Sequence, residues 1–540
     1  MAFPPTVSPA ASHLRPRPSA PFARRVVAAF AALALACPAA PAQVRPTNTL
    51  PALGDPEAEG FSVGTERKLG DQIMREIRRD PDYVDDPILL EYLESVWQPL
   101  VAEARTLGNI GPEIDARFPW EPFLVRDPSV NAFALPGGYI GVHLGLIAIT
   151  STRDELAAVL AHELSHITQR HIARSIASSK RISLVTLAAL VVGLIAAGRS
   201  RNPDAANAVV MGSQAAGVQG QLNFSRDVER EADRVGFGVL AGAGFAPSGM
   251  ASMFEKLDKG SRLNDGGGGY PYLRSHPLTT ERIGDARARL GTVAPVAPKD
   301  VLEHTLAQAR ARVLMDTHHD ALRRWQALDG DNVSTTLADK VLSAYSSAMA
   351  STLLRDWARA DASLARTLAL VRSDPRRDPR AERAVHLLEV ESYLARGAPV
   401  RAAQALQPYV DERSRPVVLD RAEIALASGA AADVATLGAR ADELQTWVAV
   451  NGHDAAAWTD LGRLWERLGR PLRAVRADAE ARAALGDLVG AADRLRAGQR
   501  IARSGNAAAV DFIDVSVIDA RLRDIEAQRK LIAAEDKEFR

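Results

Sequence analysis

Two histidines four residues apart constrain the fold of this chain more than any other feature. His162, Glu163 and His166 form the pattern H-E-x-x-H within VLAHELSHITQRHIARS, residues 159–175. Residues four apart on an α-helix lie one above the other, so this segment must be helical if both imidazoles are to bind one metal ion. Glu163 then lies beside the first ligand, where its carboxylate can act as general base on a water molecule.

His171 is a third histidine in the same stretch, and its spacing argues against a role as ligand. It follows His166 by five residues, which turns it about 140° around a continuous helix. The alternative pattern, with a bend after the second histidine, needs glycine and histidine where this chain has Gln169 and Ile172. His171 is therefore predicted to be a surface or hydrogen-bonded residue.

A catalytic zinc needs a third protein ligand and an open coordination position. The best candidate is Glu229 in FSRDVEREADRVG, residues 224–236. Asp233 lies four residues further on and shares its helical face, whereas Glu231 points elsewhere. Asp233 is predicted to accept a hydrogen bond from the outer nitrogen of a histidine ligand, and the small Ala232 to let two helices approach. These ligands predict one Zn²⁺ ion per chain, although another divalent metal remains an alternative.

The remaining patterns predict a mostly α chain with a small sheet. Residues 62–104 are typical of two amphipathic helices, and residues 123–147 of short strands with a hairpin at Pro-Gly-Gly. Thr152 and Glu155 form a capping box, in which each side chain is expected to bond the other residue's backbone N–H, at the start of the H-E-x-x-H helix. Beyond the Pro-rich segment 293–299 the pattern is almost entirely helical.

One window in the helical part fits a helical-hairpin repeat of 34 residues. Large residues come first and small ones later: Trp458, Leu461, Gly462, Trp465, Gly469, Ala474 and Ala481. Asp478 occupies a position that such a repeat fills with an apolar residue, and residues 486–495 resemble part of another unit. An irregular helical domain is the alternative.

The first 42 residues are typical of a secretory signal, with arginines before a short apolar core and a small-residue site ending at Ala42. Cleavage there would remove Cys37, the only cysteine; lipid attachment at Cys37 is the less favoured alternative. A second apolar run, residues 182–197, is predicted to be a buried helix or one that rests on a membrane. Equal numbers of basic and acidic residues, 66 of each, give no electrostatic case for a nucleic-acid partner.

The pairing of HELSH with EREAD, residues 229–233, resembles the gluzincin peptidases that include the CaaX-prenyl proteases. The resemblance is greater to their exported bacterial branch, the β-barrel assembly-enhancing type, which carries a C-terminal tetratricopeptide-like domain. The other matching stretches are LPALGD (50–55), RRDPDYVDDP (78–87), NAFALPGGYIGVHLGLI (131–147) and SHPLTTER (275–282).

This resemblance implies roles for residues of the metal site. His162, His166 and Glu229 match the zinc ligands of the family, and Glu163 matches its general base. His276 matches a histidine that can occupy the open zinc position as a fourth ligand and hold the enzyme latent.

It also implies how substrate is held. The edge strand that binds an extended substrate is implied to contain Asn131, Ala132, Phe133, Ala134 and Leu135. Arg282 matches a basic residue near the site, which is expected to stabilise an oxyanion.

The predicted architecture is a signal peptide (1–42), an α+β zincin-like peptidase domain (43–292), a linker (293–299) and an all-α tetratricopeptide-like domain (300–540). The predicted protein is a periplasmic zinc metalloendopeptidase that cleaves unfolded or misassembled envelope proteins and has chaperone activity. The outer-membrane β-barrel assembly machinery is an implied partner. The alternative is a non-catalytic chaperone or scaffold acting through its helical repeats. A membrane-embedded prenyl-protein protease is disfavoured because that class needs several spanning helices.

Overall fold

The structure is a computed structural model that describes residues 61–178, 226–263, 270–291, 293, 296, 301–330, 336–504 and 512–538. The predicted signal peptide, with Cys37, and the apolar segment 182–197 lie outside these residues. Among the described helices, none is both long enough and apolar enough to cross a membrane.

The first part of the described chain combines helices with four short strands. Its elements are α1 (Val63–Ile77), β1 (Tyr83–Val84), α2 (Pro87–Thr106), α3 (Pro112–Arg117), β2 (Glu121–Val125), β3 (Ala132–Leu135), β4 (Tyr139–His143), α4 (Leu144–Ile149), α5 (Arg153–Thr168), α6 (His171–Ser178), α7 (Arg226–Gly242), α8 (Ser248–Leu263), α9 (Pro271–Ser275) and α10 (Thr280–Leu290). The helices predicted within residues 62–104 are α1 and α2. Asp86 caps α2, because its carboxylate accepts a hydrogen bond from the N–H of Leu89 at 2.8 Å.

The four strands form one mixed sheet in the order β1-β2-β4-β3. β3 and β4 are the predicted hairpin; they pair antiparallel, with Ala132 opposite Val142. Gly137 and Gly138 form its turn with φ angles of 79° and 91°, which glycine adopts without strain. β3 has no neighbour on its other side among the described strands, so it is an edge strand of the sheet, on the side opposite β1.

Helix α5 carries H-E-x-x-H and is buried along almost its whole length. Helices α2, α7 and α8 and strand β3 pack around it. Helix α7 approaches α5 closely at Gly236, where a Cβ atom would lie 3.0 Å from the carbonyl oxygen of Ala161. Ala232, the small residue expected at this contact, is also fully buried. The two helices that were predicted to approach closely therefore do so.

The predicted capping box at the start of α5 is only half formed. The Thr152 hydroxyl accepts a hydrogen bond from the N–H of Glu155 at 3.2 Å, as expected. The Glu155 carboxylate instead accepts from the N–H of Ser151 at 2.6 Å. It does so because Ser252 and Lys256 of α8 also donate hydrogen bonds to it and hold it towards that helix.

The second part of the described chain is all helical. Its helices are α11 (Leu302–Met315), α12 (His319–Ala327), α13 (Leu337–Leu353), α14 (Trp357–Ser373), α15 (Pro379–Ala395), α16 (Pro399–Leu406), α17 (Arg415–Ala427), α18 (Val434–Val450), α19 (Ala455–Arg467), α20 (Pro471–Ala484), α21 (Leu488–Ser504) and α22 (Phe512–Glu538). The predicted fold class, a mostly α chain with a small sheet followed by a helical region, is confirmed.

The window that fits a repeat corresponds to the hairpin of α19 and α20. These helices pack closely because Gly462 leaves room for the chain at Ala474, whose carbonyl oxygen would lie 3.5 Å from a Cβ at Gly462. Asp478 is accommodated at the surface of α20 by ion pairs with Arg482 and Arg494. The hairpin is observed; the tetratricopeptide-like assignment of the whole region stays a prediction.

Helix α11 belongs to both parts of the chain. Ala307 and Ala311 pack into the core that contains α5. On the same helix, Leu306 and Val313 pack into a second core, which also contains buried residues of helices α12 to α15. The predicted boundary at residues 293–299 stays a proposal, because α11, which follows it, is shared by the two cores.

Candidate metal centre

Helix α5 brings the two histidines of H-E-x-x-H together at one point. The Nε2 atoms of His162 and His166 lie 3.0 Å apart, and both side chains are about 1% exposed. Since both residues lie on the buried helix α5, the surrounding elements restrict the movement of their rings.

Two further residues reach the same point from other elements. Glu229, in the first turns of α7, places Oε2 3.4 Å from His162 Nε2 and Oε1 3.6 Å from His166 Nε2. His276, which follows α9, places Nδ1 3.0 Å from Glu229 Oε1 and 3.4 Å from His162 Nε2. One ligand atom from each of these four residues lies within 4.8 Å of the others.

This donor set fits a zinc ion. Ligand atoms at about 2.0–2.1 Å from tetrahedral zinc are about 3.3 Å from one another. The distances given above run from 3.0 to 3.6 Å, and the four donor atoms all lie within 4.8 Å of one another. Three imidazoles and one carboxylate buried this closely need shared protons or a cation between their lone pairs. His162, His166 and Glu229 would hold the metal, with His276 at the fourth position.

The carboxylate of Asp233 lies behind the first ligand. Its Oδ1 is 2.9 Å from the outer nitrogen of His162, Nδ1; the hydrogen bond predicted between these two residues stays a prediction. The Arg282 guanidinium donates to both oxygens of Asp233, at 2.7 and 2.8 Å. Arg282 Nη1 also lies 2.9 Å from Glu229 Oε2.

Arg282 is therefore fixed behind the cluster by its contacts with Asp233 and Glu229. Its side chain is 5% exposed, and Nη1 also donates to the carbonyl oxygen of Pro277 at 2.9 Å. These contacts support a role in positioning Asp233 and Glu229. The predicted oxyanion-stabilising role stays a prediction, and it would require the guanidinium to leave these partners.

Glu163 lies between the cluster and the edge strand. Its Oε2 accepts a hydrogen bond from the N–H of Ala134 at 3.1 Å. Its Oε1 is buried, has no hydrogen-bond partner among the described residues, and lies 3.4 Å from His276 Nε2. Of the five residues implied to form the edge strand, Ala132, Phe133, Ala134 and Leu135 lie in β3. Asn131 precedes the strand, and its carbonyl oxygen accepts from the N–H of His143 at 3.1 Å.

His171 is buried and hydrogen-bonded, not at the surface. Its Nδ1 lies 3.0 Å from His166 Nδ1, and its Nε2 lies 3.1 Å from Glu231 Oε2. His171 would be turned about 140° from His166 only on a continuous helix. Here α5 ends at Thr168 and α6 begins at His171. Arg170, between them, has a φ of 52° and turns the chain so that His171 faces the outer side of the second ligand.

The electrostatics of the cluster follow from burial and close contact. Burial alone would lower the pKa of His162, but Asp233 and Glu229 outweigh it and raise that pKa to about 10. Burial and the neighbouring His162 lower the pKa of His166 well below its usual value. Burial would raise the pKa of Glu229, but His276 and His162 lower it. A metal ion would therefore compete with a proton for His162.

Sequence reasoning missed Tyr272 of α9. Its ring lies 4.7 Å from that of His276 and 6.5 Å from that of His162, centroid to centroid, and the side chain is 2% exposed. Its backbone carbonyl accepts from the N–H of His276 at 2.9 Å, so the two residues are tied together. An aromatic residue four positions before His276 is the signal that could have found it.

Comparison with known proteins identifies the segment that contains the cluster. Residues 98–290 match Peptidase family M48. We call this matched segment the M48 domain. The predicted enzyme class, a metalloendopeptidase with an H-E-x-x-H site, is confirmed for the M48 domain, which contains all four clustered residues.

Similar proteins share part of their length with this chain. It is 33% identical over 273 residues to the beta-barrel assembly-enhancing protease of Escherichia coli, covering 50% of this chain and 53% of that protein. A Vibrio cholerae protein provisionally given the same name is 36% identical over 313 residues, 57% of this chain and 62% of that protein. A mitochondrial metalloendopeptidase of Schizosaccharomyces pombe is 32% identical over 164 residues, 30% of this chain and 44% of that protein. The chain thus spans between about half and two thirds of the two bacterial relatives, and the predicted resemblance to that type is confirmed.

Proposed function

We propose that this protein is a zinc-dependent endopeptidase that cleaves unfolded or misassembled proteins of the bacterial envelope. The observation that carries the proposal is the cluster of His162, His166, Glu229 and His276, with Glu163 placed between it and the edge strand. A buried set of this kind suits one metal ion and one water-derived nucleophile in the same place.

The chain's own residues divide the work of hydrolysis. The bound metal would polarise the scissile carbonyl and acidify a water molecule. Glu163 accepts the proton of that water on Oε1, the oxygen that accepts no hydrogen bond from the described residues, and passes it to the leaving amine. Asp233 holds His162 in the orientation that presents Nε2 to the cluster. Arg282 keeps Asp233 and Glu229 ionised and in place.

The edge strand supports a preference for extended substrates. β3 offers backbone groups on its free side, and main-chain pairing with such an edge suits any sequence that is locally unfolded. The N–H of Ala134 now donates to Glu163, so a substrate strand that pairs here would lie directly beside the general base. Unfolded β-strands of outer-membrane proteins fit this requirement.

His276 supports a latent state of the enzyme. Its Nδ1 lies 3.4 Å from His162 Nε2 and its Nε2 lies 3.4 Å from Glu163 Oε1, so its ring fills the space that substrate and water would need. His276 directly follows the short helix α9, and its side chain would have to move out of the site before substrate could be cleaved. We infer that His276 restrains activity until substrate or a partner displaces it.

Location and partners follow from the relatives. The name of the Escherichia coli relative refers to β-barrel assembly, and that role comes to this chain as part of the proposal. The proposed location is the periplasm, reached by the signal peptide, and the proposed partner is the β-barrel assembly machinery. Chaperone activity would reside in the helical region.

Cleavage of casein or of an unfolded β-barrel protein tests the proposal, with bound metal measured in the same samples. The parent and Glu163→Gln should each hold about one zinc per chain, since glutamate at this position is not a ligand. The parent should cleave, and Glu163→Gln should be slower by 100-fold or more, roughly the contribution of a general base. Glu155→Gln, on the same helix but away from the cluster, serves as the matched control.

His276→Ala distinguishes a latent enzyme from a silent one. It should cleave faster than the parent if the histidine restrains the site. Zinc in the parent with no cleavage by the parent or by His276→Ala would favour the scaffold alternative. Absence of metal in all variants would refute the site itself.

A further inference from the structure

One buried histidine beside the metal cluster, His171, has no role in the hydrolysis proposed above. His171 is 2% exposed and lies in the shell around the metal cluster, next to His166. It contributes no atom to the cluster of possible ligands. Its two ring nitrogens nevertheless face groups that form a continuous chain from His166 to a carboxylate.

The distances in this chain allow one consistent assignment of protons when a metal is bound. Glu231 Oε2 lies 3.1 Å from His171 Nε2, so an ionised carboxylate accepts a hydrogen bond from Nε2–H. His171 Nδ1 then carries the lone pair, and it lies 3.0 Å from His166 Nδ1. His166 Nδ1–H donates to that lone pair, which leaves His166 Nε2 free of a proton and facing the cluster.

We propose that His171 is a positioning residue that holds His166, with Glu231 as its anchor, in the tautomer that binds the metal. Each histidine ligand then has its own carboxylate on α7. Asp233 acts directly on His162, whereas Glu231 acts on His166 through the imidazole of His171. The bridging ring is needed because Glu231 lies two residues from Glu229 and faces a different side of α7.

The chain is bent at Arg170 in a way that serves this contact. The φ of 52° at Arg170 lies in the left-handed region, where a residue other than glycine is uncommon. Its guanidinium donates to Glu66 Oε2 at 2.9 Å and to the carbonyl oxygen of Phe61 at 2.6 Å. Glu66 is itself 2% exposed. These contacts with the start of α1 fix the bend that turns His171 back towards His166.

The inference rests on the proposed metal site, and the test separates the two. Zinc affinity is measured by competition with a chromophoric chelator for the full chain, together with the visible spectrum of the cobalt-substituted protein and the melting temperature. His171→Ala should weaken zinc binding about 10–100-fold, the usual effect of losing an outer partner of a histidine ligand. The cobalt spectrum should change as well, because His166 is free to rotate.

A conservative variant and two controls make the outcome specific. His171→Asn should recover much of the affinity, because the amide oxygen can occupy the place of Nδ1 and accept from His166. Glu231→Gln should have a smaller effect than His171→Ala, because its amide oxygen still accepts from Nε2–H. His304→Ala, at an equally buried histidine in α11, should lower the melting temperature and leave zinc affinity unchanged.

Two results would count against the inference in different ways. If the parent binds zinc and cleaves substrate, and His171→Ala binds zinc as tightly as the parent, His171 has no positioning role. If His171→Asn is no better than His171→Ala, the contact with His166 Nδ1 is not what matters. A parent that binds no zinc would overturn the proposed function as well.

Discussion

Arg282 shows how a single residue can set the charge of a buried site. Two nitrogens of its guanidinium donate to Asp233, and the third, Nη1, lies 2.9 Å from Glu229 Oε2. The guanidinium carbon lies 5.1 Å from the centre of the Phe254 ring. Burial would raise the pKa of Asp233, but Arg282 and His162 lower it. Both carboxylates therefore stay ionised well into the acidic range. A ligand carboxylate that does not protonate keeps its affinity for a cation when the pH falls.

Asp460 of α19 is the opposite case, a buried carboxyl that resists ionisation. Burial and the neighbouring Glu423 raise its pKa to about 8, against about 3.9 in an unfolded chain. Between these values the folded protein keeps a proton that the unfolded chain releases, so stability is fully present below pH of about 4 and falls as pH rises to about 8.

Asp460→Asn should therefore flatten the pH dependence of stability. At pH 8 the variant should be more stable than the parent by on the order of 1–3 kcal/mol, because a buried charge is removed; at pH 4 the two should be similar. Urea unfolding at several pH values measures this. Asp493→Asn, at a more exposed position of the helical region, is the control. A parent whose stability is the same at pH 5 and pH 8 would contradict the prediction.

Among the elements, the contact between α5 and α7 decides the geometry of the metal site. Two of the proposed ligands lie on α5 and a third lies on α7. The distance between the two helices is set where Gly236 meets the backbone of Ala161 and His162, within about 3 Å of where a Cβ would be. Backbone atoms cannot move aside as a flexible side chain can.

Gly236→Ala should separate the two helices and lower the free energy of unfolding by about 1–3 kcal/mol, the usual cost of overpacking. Gly238→Ala is the matched control two residues further along α7, where a Cβ would meet nothing within 4 Å. That substitution should stabilise the helix by about 0.5–1 kcal/mol. Chemical denaturation of the three proteins gives the comparison. If Gly236→Ala and Gly238→Ala changed the free energy of unfolding equally, the close contact between α5 and α7 at Gly236 would not be what limits the size of this residue.

Much of the site could be predicted from sequence because its information is local. The spacing of His162 and His166 specifies one helical face, and the spacing of Glu229 and Asp233 specifies another. Placing these faces together is a tertiary matter, and the position of His276 came only from resemblance. The burial of His171 was missed because the bend at Arg170 depends on Glu66, about a hundred residues earlier. No window around His171 contains that partner.

At the scale of the whole molecule, α11 joins the M48 domain to the helical region through polar contacts as well as apolar ones. His304 Nε2 and the Gln308 amide both reach the carbonyl oxygen of Thr150, close to the end of α4. Arg310, 4% exposed, donates to Asp86 at 2.7 Å and to Glu391 at 2.6 Å. Asp86 caps α2, whose second half lies in the M48 domain, and Glu391 lies on α15 of the helical region.

Arg310→Met should destabilise both parts together. The variant leaves the buried Asp86 and the part-buried Glu391 without their cation, and a buried carboxylate that loses its partner costs about 3–5 kcal/mol. Thermal unfolding followed by tryptophan fluorescence and by loss of bound zinc should show both signals shifting to lower temperature by the same amount. Arg372→Met removes an exposed pair with Glu382 and should change stability by less than about 1 kcal/mol. If fluorescence and zinc release shifted to different temperatures, the M48 domain and the helical region would not unfold as one cooperative unit, and the prediction would be wrong.

The position of α11 also has a consequence for biosynthesis. A nascent chain emerges from its amino end, and domains usually fold in that order. Here the core around H-E-x-x-H lacks Ala307 and Ala311, and the end of α4 lacks His304 and Gln308, until residues 302–315 have been made. The packing around the metal cluster is therefore complete only once the chain has passed into its helical region. A chain whose synthesis stopped before residue 302 would have an incomplete core around this cluster.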